Sequence, residues 1–197
     1  MLRGSDLWPL ALLLLRSGGP SSAAAPSPAA PSVPSSARGV EVQRVRTGTP
    51  MPQWFNERFA LALEVLAPNV DPLQLRQVAL SVVAQWSHET ARGRSEFNFN
   101  LGGWRARRKD NYFVARDVQS GAELFRWTAY ADLPNAVHDQ LKRLHDTFPT
   151  AWAKLVTEPH TSAWVEELGK RGYYTASRDA YARAWAANRA ELGGLAA

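Results

Sequence analysis

The sequence has no cysteine in its 197 residues, which excludes disulfide frameworks and thiolate-ligated zinc or iron–sulfur sites. It has no glycine-rich phosphate loop and no Gly-x-Ser-x-Gly element, so nucleotide binding and serine hydrolysis lack their usual residues. His88-Glu89 begins a zinc-protease pattern, but Arg92 stands where the second histidine would be needed. His138 and His145, each followed by an aspartate, lie seven residues apart and read as a solvated helical face. No apolar run is long enough to span a bilayer as a helix, and no internal repeat is present.

The longest apolar stretch is Leu7–Leu15, interrupted by Pro9 and followed by Ala23-Ala24-Ala25. Residues 1–25 therefore read as a secretory signal peptide or as a hydrophobic anchor that would hold the chain at a membrane. Only Arg3 makes the start positive, and Asp6 opposes it. Residues 26–48 are dominated by Ala, Pro and Ser in their first half and read as a linker. Residues 49–197 are long enough for one core. The whole chain has 45% hydrophobic residues and 8 Trp, 5 Tyr and 7 Phe, and residues 49–197 are expected to form a single monomeric domain.

The domain is expected to be mostly helical. Trp54–Leu66 has helical apolar spacing and is stopped by Pro68-Asn69; Asp71-Pro72 then supplies an N-cap and an N1 proline for a helix reaching about Ala91. Tyr112–Arg116 and Glu123–Thr128, around Gln119-Ser120-Gly121, read as a β-hairpin. Helical spacing returns at Leu133–Phe148, Ala151–Val156, Thr161–Lys170 and Arg178–Leu192.

The apolar stripe of the second helix runs Leu75, Val78, Val82, Trp86, and its next position is Glu89. Apolar neighbours and the negative end of the helix dipole both disfavour a carboxylate there, so both raise its pKa. A carboxylic acid that stays protonated near neutral pH can protonate a glycosidic leaving oxygen. The other reading is a frayed helix end, with Glu89 in solvent or paired with Arg92 or Arg94.

The residues around Glu89 favour the first reading. Glu89-Thr90-Ala91-Arg92-Gly93-Arg94-Ser95, followed by Asn100-Leu101-Gly102-Gly103-Trp104-Arg105, resembles glycoside hydrolase family 73, the lysozyme-like endo-β-N-acetylglucosaminidases of autolysins, phage enzymes and flagellar peptidoglycan hydrolases. The family pattern is a catalytic Glu with Ser-Gly-Trp-Gly-x-Ser and then Asn-Leu-Phe-Gly-Ile-Lys. The sequence departs from it at Thr90-Ala91 for Ser-Gly, Arg92 for Trp and Gly102 for Phe. Phe125-Arg126 with Tyr130, and Gly172-Tyr173-Tyr174-Thr175, are similar to later family motifs and follow in the same order.

The resemblance implies an α+β, mostly helical, lysozyme-like domain with a small β-hairpin lobe. It also implies cleavage of β-1,4 bonds in peptidoglycan glycan strands, without a cofactor, in the cell envelope, outside the cell or in a phage particle. It carries the catalytic acid onto Glu89, places the second carboxylate at Asp117 with Glu123 as the other choice, and sets Tyr173 beside them. Asp117 could equally be a turn residue bonded to its own backbone. Glycan clefts use aromatic platforms and amides, and Asn100, Trp104, Tyr112, Tyr130 and Tyr174 are the candidates; each could instead be a packing residue.

A muramidase or lytic transglycosylase could share this fold and its lone acid, and Gly102 and Arg92, where the family has aromatics, leave open a degenerate domain that binds glycan without cleaving it. Nucleic-acid binding is the other class to weigh, because Arg92, Arg94, Arg105, Arg107, Arg108 and Lys109 cluster among aromatics. No DNA- or RNA-binding motif accompanies them, so no specific nucleic-acid partner is expected. The net charge is +5. Residues 92–116, with seven basic and two acidic groups, hold the domain's excess, as a basic cleft rim facing an anionic wall polymer would require.

Overall fold

The computed structural model describes residues 38–45, 50–116 and 123–196. The expected signal or anchor, most of the linker, the hairpin turn and Asp117 lie outside the described residues.

Among the described residues there are six helices and one hairpin: α1 (Met51–Leu66), α2 (Pro72–Glu89), β1 (Tyr112–Arg116), β2 (Glu123–Thr128), α3 (Leu133–Thr147), α4 (Pro149–Thr157), α5 (Ala163–Lys170) and α6 (Arg178–Ala196). Every expected element is present, with ends shifted by a few residues. Asp71 caps α2 by accepting from the Leu73 amide at 2.8 Å, and Asp132 caps α3 through the Asn135 amide at 2.9 Å. Both caps satisfy amides that have no partner within the helix.

α2 is the central element. Every residue from Val78 to Ser87 is buried, because α1, α4 and α6 pack around it. The core joins Trp54, Phe55, Trp86, Trp164 and Trp185 with the aliphatic residues of all six helices. This packing fixes where the C-terminal end of α2 emerges, and Glu89 is its last residue.

A smaller core of Phe97, Phe113 and Ala129 lies under the hairpin. β1 and β2 pair antiparallel, with Tyr112 opposite Thr128 and Phe113 opposite Trp127. Residues 38–45 precede the expected domain start, yet they pack against this lobe. The Val40 amide bonds the Tyr112 carbonyl at 2.8 Å, and the Asn98 amide bonds the Gln43 carbonyl at 2.8 Å. Val42 covers the small core. No helix among the described residues is long and apolar enough to cross a membrane.

A buried ion pair ties α1 to the segment after α2. Glu96, fully buried, accepts from Arg58 at 2.6 Å and from the Trp54 indole at 2.7 Å. The pair anchors the chain seven residues beyond Glu89, so the path of the intervening turn is held from both ends.

Candidate active site

Glu89 does not fray away from the helix. Its carboxyl group lies on the floor of a cleft of about 730 Å³, within the size range of small-molecule sites. Arg92 pairs with Glu191 on α6 at 2.5 Å, and the Arg94 guanidinium donates to the Ala91 carbonyl.

Two donors meet one oxygen of Glu89. The Tyr181 hydroxyl donates to Oε1 at 2.5 Å, and the Gln85 amide approaches the same atom at 3.4 Å. Gln85 also donates to the Tyr173 hydroxyl at 2.8 Å. Burial pushes the Glu89 pKa up, the bonds from Tyr181 and Gln85 pull it down, and burial prevails, leaving it at about 7. With Oε1 engaged by donors, Oε2 is the oxygen that can carry the proton. Once that proton leaves, the same two donors stabilise the carboxylate. The site therefore provides an acid that still holds its proton in about half of the molecules at pH 7 and is able to release it.

His88 also lines the cleft, with its ring edge-on to Tyr181 at 4.6 Å. Burial lowers its pKa, which keeps a positive charge away from Glu89. Tyr181 and Tyr173 are raised well above the ordinary tyrosine value by burial first and by the nearby Glu89 second. Both stay protonated and serve as donors.

The turn leaving α2 bears on two departures from the resembled pattern, a costly one at Ala91 and a conservative one at Thr90. Ala91 and Arg92 have φ of 48° and 60°, the left-handed region that glycine enters most easily; Ala91 stands where the pattern has Gly. The Thr90 hydroxyl bonds the Trp86 carbonyl and accepts from the Gly93 amide, a bridging role open equally to the pattern's serine. At Gly102, a Cβ atom would come within 2.6 Å of the Trp104 indole and 2.7 Å of Gln140 Oε1. Trp104 stands where the resembled pattern has Ile, and its ring takes space that a Phe at 102 would need. Trp104 lines the cleft and meets Tyr173 edge-on at 5.4 Å.

The sequence-derived candidates divide clearly. Glu89, Trp104, Tyr173 and Tyr174 line the cleft. Tyr173 donates to the Gly102 carbonyl at 2.5 Å and reaches Glu89 only through Gln85. Tyr174 stacks flat on Tyr181 at 3.7 Å. Asn100, Tyr112 and Tyr130 do not line the cleft. The Asn100 amide is spent on the Trp104 backbone and the Thr128 carbonyl, which pins the loop to β2. Tyr112 lies under the Arg126 guanidinium, and Tyr130 donates to Asp139 at 2.7 Å. Glu123 pairs with Arg126 at 2.6 Å and is also away from the cleft. Asp117, just beyond β1, is outside the described residues.

Sequence reasoning missed Gln85, Tyr181, Phe125, Trp127, Phe148 and Arg143 as parts of this site. Gln85 had a readable signal, since it precedes Glu89 by one helical turn. The basic rim is only partly as expected. Arg105 and Arg107 line the cleft, whereas Arg92 and Arg94 serve local bonds. No group of three potential metal-ligating side chains is present among the described residues. His145 instead bonds Asp146, and Asp139 binds Arg143, Arg107 and Tyr130.

Neither a protein-family model nor a curated protein matches the sequence. Among solved structures, the chain is similar to a peptidoglycan hydrolase from Sphingomonas sp. A1, with a TM-score of 0.56 and 23% identity over 74% of this chain and 96% of that one. The likeness establishes the fold: a mostly helical α+β domain of lysozyme-like form with a two-stranded lobe.

Proposed function

We propose that this protein is a peptidoglycan hydrolase that cleaves β-1,4 bonds in the glycan strand as an endo-β-N-acetylglucosaminidase related to glycoside hydrolase family 73. The observation that carries the reading is Glu89, an acid with a pKa of about 7 on the floor of an aromatic cleft. The fold shared with a peptidoglycan hydrolase supports it. Glu89 donates its proton from Oε2 to the glycosidic oxygen as the bond to the anomeric carbon breaks, and Tyr181 and Gln85 hold the resulting carboxylate. Asp117, following β1, is the proposed second carboxylate, activating water or stabilising the positive charge at the anomeric carbon. Trp104 and Tyr174 offer ring faces to the sugars. The reading places the protein in the cell envelope, outside the cell or in a phage particle, with its N-terminus as a cleaved signal or an anchor.

A muramidase or lytic transglycosylase is the second reading. Among the described residues lining the cleft, Glu89 is the one carboxylate, and a single acid suffices when a group of the substrate itself closes on the anomeric carbon. Digestion of purified peptidoglycan by wild type and Glu89→Gln, with mass spectrometry of the products, separates these readings. Reducing-end N-acetylglucosamine is the expected product. Reducing-end muramic acid indicates a muramidase, and anhydro-muramic acid a transglycosylase. Equal digestion by Glu89→Gln would remove Glu89 from the chemistry.

A further inference from the structure

We infer that Arg105 forms a carboxylate-binding subsite on the cleft wall, which takes the acidic branch of a muramic acid unit. The inference rests on the proposed reading of the cleft as a glycan site. Among the described residues three arginines line the cleft: Arg105, Arg107 and Arg143. Two are already neutralised. Arg143 binds Asp110 and Asp139 at 2.6 Å each, and Arg107 binds the same two carboxylates at 3.3 and 3.1 Å. The two cations and two anions form a set with no net charge.

Arg105 is different. Its guanidinium lies 4.0 Å from the centre of the Phe125 ring and has no carboxylate partner among the described residues. Its main chain is pinned: the carbonyl accepts from the Thr128 hydroxyl at 3.2 Å and from Arg143 at 3.3 Å, and the residue forms a bridge with Trp127. Phe125 is itself held edge-on to Trp127 at 6.0 Å. A guanidinium resting on an aromatic face keeps its N–H edges free for a planar, bidentate acceptor. It also loses less side-chain freedom on binding than an unsupported arginine would.

The subsite shares the cleft with Glu89 and is lined beside it by sugar-sized aromatic faces. A neutral glycan has no use for an unpaired cation there. A bacterial wall strand carries, on every second sugar, a lactyl group bearing either a free carboxylate or a peptide that ends in carboxylates. Both sources present the same planar anion.

The test compares kcat/KM of the full chain on three substrates: glycan strands stripped of peptide, the same strands with their carboxyls methyl-esterified, and strands with the peptide intact. Wild type is expected to prefer the acid over the ester by about tenfold, the scale of a charge-assisted hydrogen bond. Arg105→Gln should lose that preference, and Arg105→Lys, which keeps the charge without the planar fork, should retain part of it. Preference for free acid on stripped strands assigns the subsite to the lactyl carboxylate; preference confined to peptide-bearing strands assigns it to the peptide. An acid-to-ester ratio that is absent in wild type together with no gain from the intact peptide, or a preference undiminished in both variants, overturns the inference while leaving glycan cleavage intact. Failure of every protein to bind or cut any strand overturns the glycan reading and the subsite together.

Discussion

The Tyr181 hydroxyl meets Oε1 of Glu89 at 2.5 Å and so joins the last turn of α2 to α6 across 92 residues of sequence. This bond favours the ionised carboxyl, against the burial that favours the protonated one. Tyr181→Phe removes the donor, so Glu89 should keep its proton to higher pH. The alkaline limb of kcat/KM against pH is expected to move up by about one unit. A limb that stays in place, with activity retained, would show that Tyr181 does not tune the acid.

Glu89 should also cost stability above the ordinary carboxylate range. Its folded pKa of about 7 lies above the value of 4.5 for an unperturbed glutamate. Between those two values the folded protein holds a proton that the unfolded chain has released, so stability falls as pH rises. Glu89→Gln lacks that loss. Relative to wild type, the variant should gain about 3 kcal/mol between pH 4 and pH 8, with activity down by about a hundredfold or more. Urea denaturation at the two pH values checks the first part, and peptidoglycan digestion the second.

The loop that carries Trp104 leaves no room for a side chain at position 102. Gly102→Phe alone should destabilise by about 1–3 kcal/mol, the scale of overpacking, because its Cβ would meet Trp104 and Gln140. Adding Trp104→Ile should recover much of the loss. A double-mutant cycle on melting temperature with no coupling between the two positions would contradict the steric competition between them.

Glu96→Gln should be among the most damaging single changes outside the cleft. It leaves the buried Arg58 with only the half-exposed Glu57 carboxylate, 3.3 Å away, as a charge partner, and breaking a buried pair costs about 3–5 kcal/mol. Urea denaturation at neutral pH measures it. A cost below about 1 kcal/mol, the surface-pair range, would mean that the pair is more solvated than the structure places it.

A chain beginning at residue 50 should be less stable than one beginning at residue 38. The shorter chain loses the backbone bonds to Tyr112 and Asn98 and uncovers Phe97 and Phe113. A lower melting temperature and stronger binding of a hydrophobic dye are expected; identical behaviour would mean that residues 38–45 add nothing to the lobe.

Periodicity and capping chemistry are local, and for that reason much of this protein was legible in its residues. Asp71-Pro72 announces α2, the alternation around residues 119–121 announces the hairpin, and the stripe from Leu75 carries Glu89 onto the buried face of its helix. The same rules say nothing about what meets that face. Tyr181 reaches Glu89 because α6 packs on α2, Arg58 finds Glu96 because α1 does, and Asn100 and Tyr130 turn to structural bonds because β2 and α3 offer acceptors close by. Helical spacing decided that an acid would sit at the end of α2. The pKa of that acid, the aromatic cleft around it and the place of Arg105, without a carboxylate partner among the described residues, were decided by tertiary packing, because burial and hydrogen bonding depend on partners that sequence spacing does not specify.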